Sequence, residues 1–128
     1  MTGPRGILVI KTIAMPTDTN ASGDIFGGWL LSQMDLGGAV LAYYHANNRV
    51  ATVAIDGMVF LKPVKVGDLV SCYAELTRQG RTSMTIYIEA WAESRATGVG
   101  QRVTHGNFTF VALNPDGKPT PIIWNKAQ

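Results

Sequence analysis

The sequence predicts an α+β domain in which an antiparallel β-sheet curls around one long central helix. Three observations carry that prediction. One largely apolar segment, from about Gly28 to about Ala46, repeats at three- and four-residue steps. Four long stretches downstream of it read as strands, two of them alternating cleanly. Short turns join strands there, and such turns connect antiparallel neighbours, because parallel ones need a long crossover. A single helix cannot cover a sheet of that size unless the sheet curls around it.

Taken in order, Gly6 to Ile13 (GILVIKTI) is short, β-branched and apolar, a first strand. Ala14 to Asp24 carries Met15-Pro16 and then small polar residues with turn chemistry. In the helical segment, Leu30, Leu31, Met34, Leu36, Ala39, Val40, Leu41 and Ala42 set the period. At 1.5 Å per residue it runs roughly 28 Å, enough to cross a small domain. Its apolar character extends nearly all round, so burial on most sides is expected. Asn47 and Asn48 suit its C-terminal stop. Val50 to Leu61 is a second strand with Gly57 as a possible bulge, and Lys62 to Asp68 is a turn-rich connection. Leu69 to Arg78 puts Val70, Cys72, Ala74 and Leu76 on one face, and Gln79-Gly80 makes a tight turn. Arg81 to Glu93 puts Met84, Ile86, Ile88, Ala90 and Ala92 on one face, with Thr85, Tyr87, Glu89 and Trp91 on the other. Tyr87 and Trp91 would stand on an open sheet face, which implies an oligomer that covers them. Gly100 to Leu113 is the last strand, followed by the turn Pro115-Asp116-Gly117 and a tail in which Ile122, Ile123 and Trp124 are apolar enough to dock.

Composition bounds the function classes. A chain of 128 residues with 46% hydrophobic content is one domain, 1–128, with 114–128 as its tail. A net charge of +2, with the basic residues scattered, argues against duplex nucleic acid but leaves room for a phosphorylated small ligand. The single Cys72 excludes an intrachain disulfide and fits a reducing compartment. The apolar run Ile7 to Ile10 is too short for a signal-peptide core, and no stretch approaches the ~20 residues that span a bilayer. The expectation is a cytoplasmic protein with neither membrane nor nucleic acid as partner. No Cys/His cluster has metal spacing, there is no Gly-x-Ser-x-Gly elbow, and Gly27-Gly28 lacks the Lys-Ser/Thr of a P-loop.

One residue breaks the pattern. Asp35 stands mid-helix with no Lys or Arg within a turn on either side, at a propensity cost of roughly 0.6 kcal/mol before desolvation. Gly28, Ser32 and Ala39 share its face and leave a slot beside it. The bland explanation is a carboxylate that emerges at a rim or bonds a partner chain.

Several segments resemble the acyl-CoA thioesterases of the hotdog fold, in the branch of small bacterial short-chain hydrolases usually called YciA-like. They are Met15-Pro16-Thr17-Asp18-Thr19-Asn20, Gly23-Asp24-Ile25-Phe26-Gly27-Gly28-Trp29 and Ser32-Gln33-Met34-Asp35. Val53-Ala54, Phe60-Leu61-Lys62-Pro63-Val64, Val66-Gly67-Asp68 and Gly80-Arg81-Thr82-Ser83 extend the likeness over about Gly6 to Asn114. The resemblance implies dimers paired sheet edge to sheet edge, usually assembled as trimers of dimers into a homohexamer, with sites at the dimer interface. It implies that Asp35 is the catalytic carboxylate and that Asn20 is a catalytic loop residue facing Asp35 of the partner subunit. The chain departs from the pattern at His105 and Asp56, which bears on acyl-chain preference more than on chemistry.

For a thioester hydrolase, Asp35 would act as general base or as nucleophile through a mixed anhydride. The helix N-terminus at Gly27-Gly28 would offer unpaired N–H groups as an oxyanion site, with Gly28 in a catalytic role. Lys62 and Arg81, with the hydroxyls of Thr82 and Ser83, would hold the coenzyme A phosphates, and Phe26, Phe60 and Gly27 would line the acyl group. Against these stand plainer roles as turn, packing and core residues. The expected activity is hydrolysis of acyl-CoA to free acid and coenzyme A, in fatty acid metabolism, without metal or cofactor. The alternatives are a non-catalytic acyl-CoA sensing module, or a hotdog hydratase or dehydratase. The last would place a His at the site, and no His precedes His45.

Overall fold

The computed structural model describes residues 3–124. In chain order the elements are β1 (Ile7–Ile13), a 3-10 turn at Pro16–Asp18, α1 (Gly27–Ala46), β2 (Arg49–Phe60), β3 (Leu69–Gln79), β4 (Ser83–Glu93) and β5 (Gly100–Leu113). Every pairing is antiparallel, and the sheet order is β1-β3-β4-β5-β2. The short turns do join neighbours along β3-β4-β5. The connection Leu61–Asp68 does not: it carries the chain from edge strand β2 across to β3, the strand next to the opposite edge. Val64, buried within that connection, accepts the Ile25 N–H at 3.0 Å and so pins it against the loop ahead of the helix. Strands β1 and β2 are therefore the two edges.

The inner face follows the alternation of the sequence. Val70, Cys72 and Ala74 of β3, the expected set from Met84 to Ala92 of β4, and Phe108, Phe110 and Ala112 of β5 are all buried. Against them lie Leu30, Met34, Leu41, Ala42 and Ala46 of the helix. Each large side chain so buried contributes about 1.5–3 kcal/mol. The helix sits hard against the sheet at Gly38, where a Cβ would come 2.4 Å from Ile88 Cδ1 and 3.0 Å from Phe110 Cζ. It ends on Asn47 in the left-handed conformation (φ 51°), whose N–H donates to Tyr43 O at 2.8 Å. Strand β2 is bulged between Asp56 and Val59, with Gly57 at φ 63°.

Two expectations need correction. The helix is not buried on most sides: Leu36, Val40, Tyr43 and Tyr44 form an exposed outer stripe, because one five-stranded sheet reaches only one side of the cylinder. Nor is the outward sheet face left open at Tyr87, although Trp91 stays half-buried. The chain's own N-terminal segment crosses it, and the Arg5 guanidinium stacks 4.1 Å above the Tyr87 ring while its Nε bonds Glu75. Beneath that segment Glu89 is 2% exposed. It accepts hydrogen bonds from Arg5 N (2.9 Å), Tyr87 Oη (2.6 Å) and Trp91 Nε1 (2.8 Å). Burial alone would push the Glu89 carboxyl up, but the Tyr87, Arg5 and Trp91 hydrogen bonds and the nearby Arg102 charge outweigh it and hold the group below its ordinary value.

The tail docks in part. Ile122 is buried, with its N–H on Arg81 O at 2.9 Å, and Trp124 Nε1 donates to Gly80 O at 2.8 Å. Ile123 points outward, and 125–128 lie outside the described residues.

Candidate active site

The loop ahead of the helix is built from its own polar side chains. Asp18 accepts the Met15 N–H at 3.0 Å, and Thr19 Oγ1 donates to Pro16 O at 2.8 Å. Asn20 Oδ1 accepts from Ser22 N (2.9 Å) and Asp24 N (3.2 Å), an Asx-type closure that fixes the loop and leaves the carboxamide N–H₂ for another partner. Asp24 is held in turn by Lys65 Nζ. Phe26, at the N-cap, provides no side-chain cap. The first helical contact is Trp29 N–H to Phe26 O at 3.1 Å, so the amides of Gly27 and Gly28 stand ahead of the hydrogen-bond ladder.

These parts border one cleft of about 360 Å³. Asn20, Gly27, Leu30, Phe60, Lys62 and Val64 line it. The Phe60 ring lies over Gly27, where a Cβ would meet its Cε1 at 3.1 Å, and Phe26 covers Gly28 in the same way at 2.9 Å. The missing side chains of both glycines are thus what lets the two aromatic rings close over them. Lys62 has no ion pair among the described residues.

Asp35 does not line this cleft. It lies eight residues along the helix from Gly27, about 12 Å of axial rise. It is half-buried, and Thr52 Oγ1 of edge strand β2 donates to its Oδ1 at 2.6 Å. Ser32, on the same helix face, returns its hydroxyl to Trp29 O at 2.7 Å. Asp35 thus meets the sheet at the strand whose other edge is unpaired, and it is not the deeply desolvated charge that the helix pattern implied.

Arg81, Thr82 and Ser83 are farther still. They form the β3–β4 turn beside Val111, whereas Phe60 pairs with Thr104 at the opposite end of β5. Ser83 Oγ is already engaged by Arg78 at 3.0 Å. Within one protomer the cleft thus gathers Asn20, Gly27, Phe60 and Lys62, whereas Phe26 and Gly28 adjoin it without lining it and Asp35 and Arg81–Ser83 stand apart.

Thr52 is the partner of Asp35 that sequence reasoning missed. A Thr in a strand carries no signal until the register of β2 against the helix is known. Cys72 is set aside, because burial pushes its thiol up to about 12 and leaves it un-ionised at neutral pH. His105 lies on the outward face, its ring 6.1 Å from that of Tyr87, away from the cleft. No helix among the described residues is long and apolar enough to cross a membrane.

A family model described as the thioesterase superfamily matches residues 22–99. Over 122 residues the chain is 56% identical to the acyl-CoA thioester hydrolase YciA of Salmonella typhimurium, covering 93% of this chain and 92% of that one. It superposes on the hexameric thioesterase of Yersinia pestis with a TM-score of 0.90 at 52% identity, over 95% of this chain and 99% of that one. With the hexameric hotdog fold thioesterase of Campylobacter jejuni the TM-score is 0.87 at 41% identity, over 92% and 91% of the two chains.

Proposed function

Because this chain belongs to the thioesterase superfamily and has the hotdog fold, we propose that it hydrolyses acyl-CoA to a free carboxylic acid and coenzyme A. The observation that carries the reading is Asp35, a mid-helix carboxylate oriented by Thr52 at the open edge of the sheet. With Oδ1 held by Thr52, Oδ2 is the oxygen available for chemistry. As general base it takes a proton from water, and the hydroxide adds to the thioester carbon. The resulting oxyanion is stabilised by the Gly27 and Gly28 N–H groups, and collapse expels coenzyme A thiolate, which is then protonated. As nucleophile, Oδ2 itself adds to the carbon, expels the thiolate and leaves a mixed anhydride for water to cleave. A single turnover in ¹⁸O-water separates the two routes, since only the anhydride route can leave label in the Asp35 carboxylate. Neither route draws on a metal or redox cofactor.

The separation of about 12 Å between Asp35 and the amides of its own helix bears directly on the active unit. One thioester cannot touch both in a single protomer. Pairing two copies through the open edges of β2 turns the helices antiparallel and sets the loop and glycine amides of one chain beside Asp35 of the partner subunit. The same operation carries the Arg81–Ser83 end of one sheet toward the Lys62 end of the other. The active unit in this reading is the dimer, three dimers form a hexamer like those of the relatives, and the enzyme works in the cytoplasm on fatty acyl thioesters.

The test is thiol release from a ladder of acyl-CoAs, acetyl to palmitoyl, by wild type and Asp35→Ala. Turnover that collapses in the variant is expected. Binding without release on every rung would replace the hydrolase with a sensor. For the shared site, Asp35→Ala and Asn20→Ala chains are refolded together. Random pairing should restore about a quarter of wild-type activity, because half the dimers then contain one intact site. No recovery would confine the site to one chain.

A further inference from the structure

The two walls of the cleft come from different parts of the chain. Asn20, Asp24 and Ile25 belong to the loop ahead of the helix, and Leu61–Val64 to the segment that follows β2. Two links tie these walls together. One is the Ile25 N–H to Val64 O bond at 3.0 Å, and the other is the ion pair in which Lys65 Nζ donates to Asp24 Oδ1. Asp24 is also what holds Asn20. Its carbonyl accepts the Asn20 N–H at 2.7 Å, and its own N–H donates to Asn20 Oδ1 at 3.2 Å. Lys65 is anchored on its side of the pair. Its N–H donates to Asp68 Oδ2 and its carbonyl accepts the Asp68 N–H, both at 3.0 Å. The Asp68 carbonyl in turn accepts the N–H of buried Ala14, next to the end of β1, at 3.0 Å. Among the described residues Lys65 pairs with no other carboxylate. The Asp24 and Lys65 side chains are 35% and 63% exposed, and an ion pair so open to water adds little to the stability of the fold. Its effect is on position: it ties the residue that fixes both the backbone and the carboxamide of Asn20 to a turn pinned on the sheet.

We propose that Lys65 is a positioning residue for thioester hydrolysis, acting through Asp24 to aim the Asn20 carboxamide at the substrate. The inference rests on the reading of the chain as an acyl-CoA hydrolase that uses Asn20. Asn20 Oδ1 is occupied by the Ser22 and Asp24 N–H groups, so the N–H₂ is the end of the carboxamide turned to the reaction. Its direction follows the Asp24 backbone, and the Asp24 carboxylate follows Lys65. Lys65 itself touches neither the substrate nor the reacting atoms.

The experiment measures kcat and KM on an acyl-pantetheine, which lacks the nucleotide, so that removing a lysine cannot act by weakening attraction to phosphates. Lys65→Met should lower kcat roughly three- to tenfold and leave KM unchanged. That is less than the 10²-fold that a misplacement of about 1 Å can cost, because Asn20 Oδ1 keeps its two N–H donors. Lys65→Arg, which can still pair with Asp24, should recover most of the loss. In an Asn20→Ala background Lys65→Met should cost nothing further. Raising KCl from about 0.1 M to about 1 M shortens the Debye length from about 10 Å to about 3 Å, and should slow wild type more than Lys65→Met. A Lys65→Met variant as fast as wild type, an equal loss in Lys65→Arg, an undiminished loss in the Asn20→Ala background or parallel salt curves each overturn the inference and leave the hydrolase standing. A wild type that releases thiol from no acyl-CoA removes the hydrolase, and the positioning role with it.

Discussion

The bond from Thr52 to Asp35 can be tested as a coupled pair. Thr52→Val keeps the β-branched shape that suits the strand and deletes only the hydroxyl. The bond is 2.6 Å long and its acceptor is a carboxylate, a class worth about 1.5–3 kcal/mol. Asp35 is half-buried and Thr52 exposed, so the lower end applies, and about 1.4 kcal/mol corresponds to a tenfold change. Thr52→Val should therefore lower kcat roughly tenfold, while Asp35→Ala, which removes the base itself, should lose on the order of 10²–10⁴. If Thr52 acts only by orienting Asp35, the double variant should be no slower than Asp35→Ala. The assay is thiol release under saturating acyl-CoA for all four proteins. A tenfold further loss from Thr52→Val in the Asp35→Ala background would refute the reasoning and give Thr52 a role of its own on the substrate.

Three other outcomes follow from the packing and the charges. Gly38→Ala places a methyl 2.4 Å from Ile88 Cδ1 and should destabilise by about 1–3 kcal/mol, read as a lowered urea midpoint. Glu89 is held below its ordinary value in the folded chain, so its contribution to stability is present above the unfolded value near 4.5 and is lost as pH falls through the folded one. Wild type should thus weaken in urea between pH 5 and pH 3 more steeply than Glu89→Gln, and parallel curves would remove Glu89 from that account. Cys72, with its thiol pushed up to about 12, should resist a thiol reagent at pH 8 in the native protein and react on unfolding, and labelling at native rates would contradict its burial.

Much of the fold is legible in the sequence, since alternation and period are local. The inner face of β4, the Gly57 bulge and the Asn47 stop are where spacing and residue type put them. The sheet order is not legible, because nothing local says that β2 joins β5 and leaves Leu61–Asp68 to cross to β3 on the far side of the sheet. The outer helix stripe misleads for a related reason: Leu36 and Val40 are as apolar as the buried residues, and only the three-dimensional partner list tells them apart. In the site, Asn20 and Gly27-Gly28 come together because they are close in sequence. Asp35 and Arg81–Ser83 carry recognisable motifs, yet a single copy of the chain keeps them away from the cleft. The cover over Tyr87 was also hidden, since it depends on Arg5 meeting residues far along the chain.

That last contact spans 84 residues of sequence from Arg5 to Glu89. A contact of such separation closes a large loop, and its chain entropy is recovered only once the central strands stand in register. The N-terminal segment is therefore a late arrival in folding, and by the same logic an early departure under mild denaturant. Its release would strip Glu89 of one donor and of the stacked Arg5 above Tyr87 while the rest of the sheet stayed paired. Native-state hydrogen exchange should find the Arg5 amide opening at lower free energy than amides of β4, and equal protection for both would tie the segment to global unfolding. The outward cavity that Arg5 helps to line would then lose a wall without any loss of the core.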